Sequence, residues 1–86
     1  MRRVTSVETY GGVMPTQLWG SVEGGLDLYI RYRHGGLTVR VGGQVVLSDD
    51  DGSVAGDLMR EELLERTKSV LDFSDVHVPL HPWQAV

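Results

Sequence analysis

The sequence predicts an α+β domain: an antiparallel β-meander of four or five strands, one C-terminal amphipathic helix packed on one face, and an extended tail. Three observations carry that expectation. Four glycine pairs, Gly11-Gly12, Gly24-Gly25, Gly35-Gly36 and Gly42-Gly43, cut the first half of the chain into strand-length pieces. Glycine reaches positive φ at no steric cost, so such pairs between alternating segments mark hairpins. After about Val54 the apolar period changes from two to that of a helix. Finally, 86 residues suit one small domain, and a sheet with one covering helix is a two-layer solution for burying its apolar face.

The strands are expected at 3–10, 17–22, 26–34, 37–41 and 44–48, with Val13-Met14-Pro15 as a less regular connection. The turn Asp49-Asp50-Asp51-Gly52 ends the sheet. The helix is expected over 53–72: Ala55, Met59, Leu63 and Val70 make an apolar stripe flanked by Leu58, Leu64 and Leu71, and Asp57, Glu61, Glu65, Lys68 and Asp72 line the opposite face. Ser53 or Asp51 would cap it, Asp57 would complement its dipole, and Glu62 would pair with Arg66 one turn on. In the tail, 73–86, Val76, Val78 and Leu80 alternate with His77, Pro79 and His81. That pattern suits an extended segment lying against the domain or a neighbouring subunit, with Trp83 as its anchor. The whole of 1–86 reads as a single domain.

Several function classes are excluded at this level. The chain has no cysteine, which removes disulfide scaffolds, thiolate metal sites and cysteine catalysis. No apolar run approaches the roughly 20 residues of a membrane span, and the start Met1-Arg2-Arg3-Val4 lacks an apolar h-region, so a cytoplasmic protein is expected. A net charge of −4 should repel duplex nucleic acid and anionic membranes. In an EF-hand reading of Asp49-Asp50-Asp51-Gly52, Leu47 and Leu58 would fill two positions that require acids. His77 and His81 are separated by Pro79, which blocks a helical metal pair. No G-x-S-x-G, Walker or G-x-G-x-x-G motif occurs. A non-enzymatic protein without cofactor or metal is therefore expected.

The average charge hides a split. Residues 1–48 hold five arginines against three acids, and residues 49–86 hold three bases against nine acids. Opposed electrostatic faces, or two surfaces that attract one another, should follow.

Solving the hairpins turns this into a site. With Gly35-Gly36 as a two-residue turn, His34 faces Leu37, Tyr32 faces Val39 and Ile30 faces Val41 on the core side, while Arg31 faces Arg40 and Arg33 faces Thr38 outside. With Glu23-Gly24-Gly25 as a three-residue turn, Val22 faces Leu26, Leu18 faces Ile30 and Trp19 faces Tyr29. The outer face then gathers Trp19, Tyr29, Arg31, Arg33, Thr38 and Arg40, with Gln17 beside them. Opposed arginines repel by a few tenths to about 1 kcal/mol. An anion gripped by the guanidinium groups, or stacking of Arg31 and Arg40 on the rings, would offset that. Aromatic rings beside arginines suit a nucleotide, base stacked and phosphate held; the plain alternative is a solvated sheet face.

Two functions follow as expectations. One is a small binding protein that sequesters an anionic, nucleotide-like ligand on this face or at a subunit interface. The other is a protein–protein inhibitor of the antidote or immunity type, its acidic helix set against a basic partner. A homo-oligomer is also expected, because Val45-Val46-Leu47 puts apolar side chains on both faces of the last strand and Trp19 and Tyr29 add aromatic area outside.

Overall fold

The computed structural model describes residues 1–12, 15–53 and 57–82. Its elements are β1 (Arg2–Gly11), β2 (Thr16–Val22), β3 (Leu26–Arg33), β4 (Gly36–Val41), β5 (Gln44–Asp50), α1 (Arg60–Thr67) and β6 (Leu71–Asp72). They form one six-stranded sheet in the order β5-β4-β3-β2-β1-β6. The neighbours β1 to β5 are antiparallel, and β6 lies parallel to the start of β1 through Arg2 and Arg3. The α+β class with an antiparallel meander and a single helix is thus as expected. The strand count is not, because the two-residue β6 falls where the helix was expected to continue.

Alternation builds the core. Leu18 and Val22 of β2, Leu28, Ile30 and Tyr32 of β3, and Leu37, Val39 and Val41 of β4 are buried on one face with Val4. Leu58, Leu63 and Leu71 close over them in the same cluster. Each such side chain contributes roughly 1.5–3 kcal/mol by leaving water. Gly20, in the middle of β2, is required by contact: a Cβ there would run into the Ser6 carbonyl of β1, which approaches at an irregularity in the β1–β2 register.

The β2–β3 register is the expected one, with Val22 opposite Leu26, Leu18 opposite Ile30 and Trp19 opposite Tyr29. The β3–β4 register is shifted by two residues from expectation. The turn is His34-Gly35, both at positive φ (51° and 80°), as a type I′ hairpin requires. Leu28 therefore faces Val41, Ile30 faces Val39, Tyr32 faces Leu37 and Arg33 faces Gly36. The shift preserves the two faces, and its reason is burial: three apolar pairs form in the core, whereas the expected register placed His34 there opposite Leu37. Gly35 also needs to be glycine because a Cβ would collide with Asp51 and Ser53.

The helix is shorter than the expected 53–72. Neither Asp51 nor Ser53 caps it; the residue before its first turn is Met59, extended at φ −74°, ψ 159°, with no side-chain cap. Tertiary bonds hold that extended entry. The Thr16 hydroxyl accepts the Leu58 N–H (3.0 Å) and the Tyr10 hydroxyl donates to the Leu58 carbonyl (2.6 Å), so both main-chain groups of Leu58 are engaged outside any helix. Asp57 lies before the helix, and Ala55 lies outside the described residues. At the other end the Val70 N–H bonds the Thr67 carbonyl and the Val70 carbonyl accepts the Arg2 N–H, which delivers Leu71 to β6.

The tail packs closely on the domain as far as it is described. Val78 and His81 are buried and Val76 partly so, but Leu80, expected to alternate inward with them, is exposed. His81 takes the inward place because its Nε2–H donates to the Gly12 carbonyl (2.9 Å) beside the Thr16 hydroxyl (3.4 Å), with the Tyr10 ring edge-on at 5.5 Å. Burying a polar ring is tolerable only with such partners. Trp83, the expected anchor, lies outside the described residues, as do Val13 and Met14.

Candidate ligand-binding face

The strand alternation that buries Ile30 and Val39 turns their neighbours outward. Across β1 to β4, Thr9, Trp19, Tyr29 and Arg40 form one row on the face away from the helix. Gln17, Arg31, Thr38 and Ser48 form the next, and Arg33, Gly36 and Asp50 a third. All six expected site residues are therefore on one surface. Arg31, Arg33 and Arg40 are exposed, Trp19 is 47 % exposed, and Tyr29 and Thr38 are half-buried.

The pairings of all three arginines differ from expectation, Arg33 facing Gly36 rather than Thr38. Arg31 does not face Arg40: Thr38 faces Arg31 and Tyr29 faces Arg40. The two arginines are diagonal neighbours, roughly 7–8 Å apart at the backbone, rather than about 5 Å. Arg33 lies two residues along the same strand from Arg31, again about 7 Å. The three cations thus form a triangle with Thr38 among them. Repulsion is weaker than for a directly opposed pair, and the spacing still lets neighbouring guanidinium groups converge on one anion.

The aromatic half of the face is already organised. The Trp19 and Tyr29 rings lie 4.2 Å apart at their centroids with a 32° tilt, and the Gln17 amide donates to the Tyr29 hydroxyl at 2.9 Å. Neither Arg31 nor Arg40 stacks on them. Among the described residues the arginine over a ring is Arg66, 5.3 Å above Tyr32 on the core side.

The contrast between the arginines of this chain is the main electrostatic result. Arg66, whose side chain is only 12 % exposed, bonds Asp49 at 3.0 Å and Asp51 at 3.2 Å. It therefore does not reach Glu62, its expected helical partner. Burial pushes the Arg66 pKa down, but the Asp49 hydrogen bond and the two carboxylate charges outweigh this and leave it above its ordinary value. Arg3 pairs with Asp75 at 3.2 Å and Arg60 with Glu61 at 2.8 Å. Arg31, Arg33 and Arg40 have no carboxylate partner among the described residues. The acids nearest in the strand rows stand at the margins: Asp27 opposite Ser21, and Asp50, whose carboxylate takes the Gly52 N–H.

Two shallow, open depressions follow the arginines. One, of about 420 Å³, is lined by Arg31, Arg33, His34, Gly36 and Thr38; the other, of about 300 Å³, by Tyr29, Arg31, Thr38 and Arg40. They share Arg31 and Thr38. His34 lines the first depression through the I′ turn, a placement hidden from the sequence because the expected register put it in the core.

The acidic counterpart is already occupied in part. Glu61 pairs with Arg60 and Glu65 with Lys68, and Asp51 is engaged from three sides. The Ser53 main-chain N–H, the Tyr32 hydroxyl and the Arg66 guanidinium all hold its carboxyl below the usual aspartate range. Among the described residues no three histidine or carboxylate side chains converge to hold a metal ion, and no helix is long and apolar enough to cross a membrane. Compared with protein-family models, with curated proteins and with solved structures, the chain shows no match to any of the three.

Proposed function

We propose that the outer sheet face binds a small phosphorylated, nucleotide-like ligand, and that the protein is a non-enzymatic binder. The observation that carries this reading is the triangle of Arg31, Arg33 and Arg40 on one face, none with a carboxylate partner among the described residues, whereas Arg3, Arg60 and Arg66 each find one. Guanidinium groups present forked donors that match phosphate oxygens. Thr38 and His34 stand between and beside them as further donors. The Trp19 ring, stiffened by Tyr29 and exposed, offers a base a stacking surface at the end of the same rows.

The second expectation, an acidic helix set against a basic protein, has less support, since Glu61 and Glu65 already have cationic partners in Arg60 and in Lys68 at the helix end.

A thermal-shift and calorimetry panel of inorganic pyrophosphate, adenosine, AMP, ADP and a cyclic nucleotide tests the proposal. Ligand that binds the folded state raises stability by RT ln(1 + [L]/Kd). The phosphorylated compounds should raise Tm by several degrees at millimolar concentration, and adenosine alone should do much less. Both Arg31→Ala and Arg40→Glu should abolish the rise. A flat panel, or a rise that survives these substitutions, overturns the reading.

A further inference from the structure

The two edges of the sheet are treated differently. On the β1 side, β6 covers Arg2 and Arg3, while His81 and Pro82 lie against Gly12 and Gly11 at the far end. On the other side β5 (Gln44–Asp50) is the terminal strand, and among the described residues no backbone hydrogen bond reaches its outer edge. Seven residues of bare edge is an invitation to further pairing, which proteins ordinarily discourage with lysine, proline or inward charge. β5 has no lysine and no proline; its register against β4 slips between Leu47 and Val45, and its charges, Asp49 and Asp50, stand at one end only. Its middle is Val45-Val46-Leu47, with Val45 51 % exposed.

The ladder fixes which groups are available. The Asp51 N–H donates to the Gly35 carbonyl, so by antiparallel alternation Asp49 and Leu47 point their main-chain groups at β4, and Ser48 and Asp50 point theirs outward. Ser48 is thus a mid-strand residue whose N–H and C=O face open space.

We infer that β5 pairs with β5 of a second copy of this chain, antiparallel about a two-fold axis near Ser48, to make a continuous twelve-stranded sheet. The charge pattern makes this edge compatible with itself in one direction only. An antiparallel copy sets each Asp49–Asp51 run against the partner's uncharged 45–47 segment, whereas a parallel one would lay the two acidic runs side by side, which is destabilising. An isologous contact of this kind closes on itself and stops at two copies. Such an axis, perpendicular to the sheet, also keeps both arginine faces on the same side. The two Thr38 residues, each opposite Ser48, would stand three strand spacings apart, roughly 14 Å, and the two Arg40 residues, offset along the strands as well, about 20 Å. The pairing itself does not depend on what those faces bind.

Light scattering and native mass spectrometry of the full chain at micromolar to millimolar concentration give the test. The expected mass is twice the 9.5 kDa of the chain. Val45→Lys and Ser48→Pro should each return it to one copy with the circular dichroism spectrum retained. The proline removes an outward N–H and no ladder bond, so it keeps the test open if the lysine variant fails to fold. Because the chain has no cysteine, Ser48→Cys adds a single thiol, and oxidation should cross-link the dimer. A wild-type chain that stays at one mass throughout overturns the inference. So does a dimer that survives both edge substitutions, or one that is lost instead in Arg40→Glu, which would mean that the arginine face meets the acidic helix of another copy.

Discussion

Arg40 lies opposite Tyr29 and diagonal to Arg31, so the consequences of reversing its charge are bounded. Arg40→Glu turns a diagonal repulsion into an attraction, and stability in chemical denaturation should rise by a few tenths of a kcal/mol, below the about 1 kcal/mol of a directly opposed pair. Phosphate-ligand affinity should fall more than tenfold, because a charge-assisted bond is replaced by repulsion. At the same scale, Gly20→Ala is expected to cost about 1–3 kcal/mol: a methyl group meets the Ser6 carbonyl, and backbone cannot swing aside as a long side chain can. A denaturation midpoint unchanged in this variant would mean that β1 and β2 part easily. Gly24, with open space around it, is the control site, although its positive φ adds a strain of its own.

Two elements owe their place to tertiary bonds rather than to their own propensity. The β5–α1 connection is fixed by Asp51, whose carboxyl is held low by Ser53, Tyr32 and Arg66; Asp72, the last residue of β6, is held low by Ser74. A carboxyl with a depressed folded pKa stabilises fully above its unfolded value near 4, and that contribution is lost as pH falls through the depressed folded value. Melting temperature should therefore stay level in these terms from neutral pH down to about 4 and fall below it. Asp51→Asn should start lower at pH 6 and lose less between pH 4 and pH 2. Parallel curves for the two proteins would remove Asp51 from the acid transition. The tail is the second element. Deleting residues 76–86 uncovers the core beneath Val78 and His81 and strips the Gly12 carbonyl of a donor, so Tm should fall by roughly 10 °C or more, given about 4–8 °C per kcal/mol for a domain this size. An unchanged melting curve would make the tail dispensable.

Over the whole molecule the charge asymmetry of the two chain halves becomes an asymmetry of faces, arginines on the open side of the sheet and carboxylates around the helix and β5–α1 turn. Ligand binding and edge pairing should separate cleanly by salt. Raising ionic strength from about 0.05 to 1 M shortens the screening length from roughly 14 Å to 3 Å and should weaken phosphate binding severalfold. A β5–β5 contact made of main-chain bonds and valine side chains should hold its mass under the same change, as scattering in both buffers would show.

Residue alternation was enough to read the two faces of the sheet. Gly-Gly spacing located the hairpins, and period two sorted Leu28, Ile30, Val39 and Val41 from Tyr29, Arg31, Thr38 and Arg40, because a register error of two residues leaves every side chain on its own face. For that reason the shared surface of the six candidate residues was legible even though Arg31 and Arg40 were expected in direct opposition. The β3–β4 turn was decided by packing, since only the complete core favours three apolar pairs with His34 outside over two with His34 inside. The helix bounds were likewise out of reach of periodicity: the apolar spacing around Leu58, Leu63 and Leu71 suits a helix throughout 53–72, and bonds from Thr16 and Tyr10, more than forty residues away, hold Leu58 extended. The inward turn of His81 in place of Leu80 has the same cause, a long-range bond from its ring to the Gly12 carbonyl, which also accepts the Thr16 hydroxyl. Local pattern determined which side chains share a surface, and long-range hydrogen bonds decided where each element begins and ends.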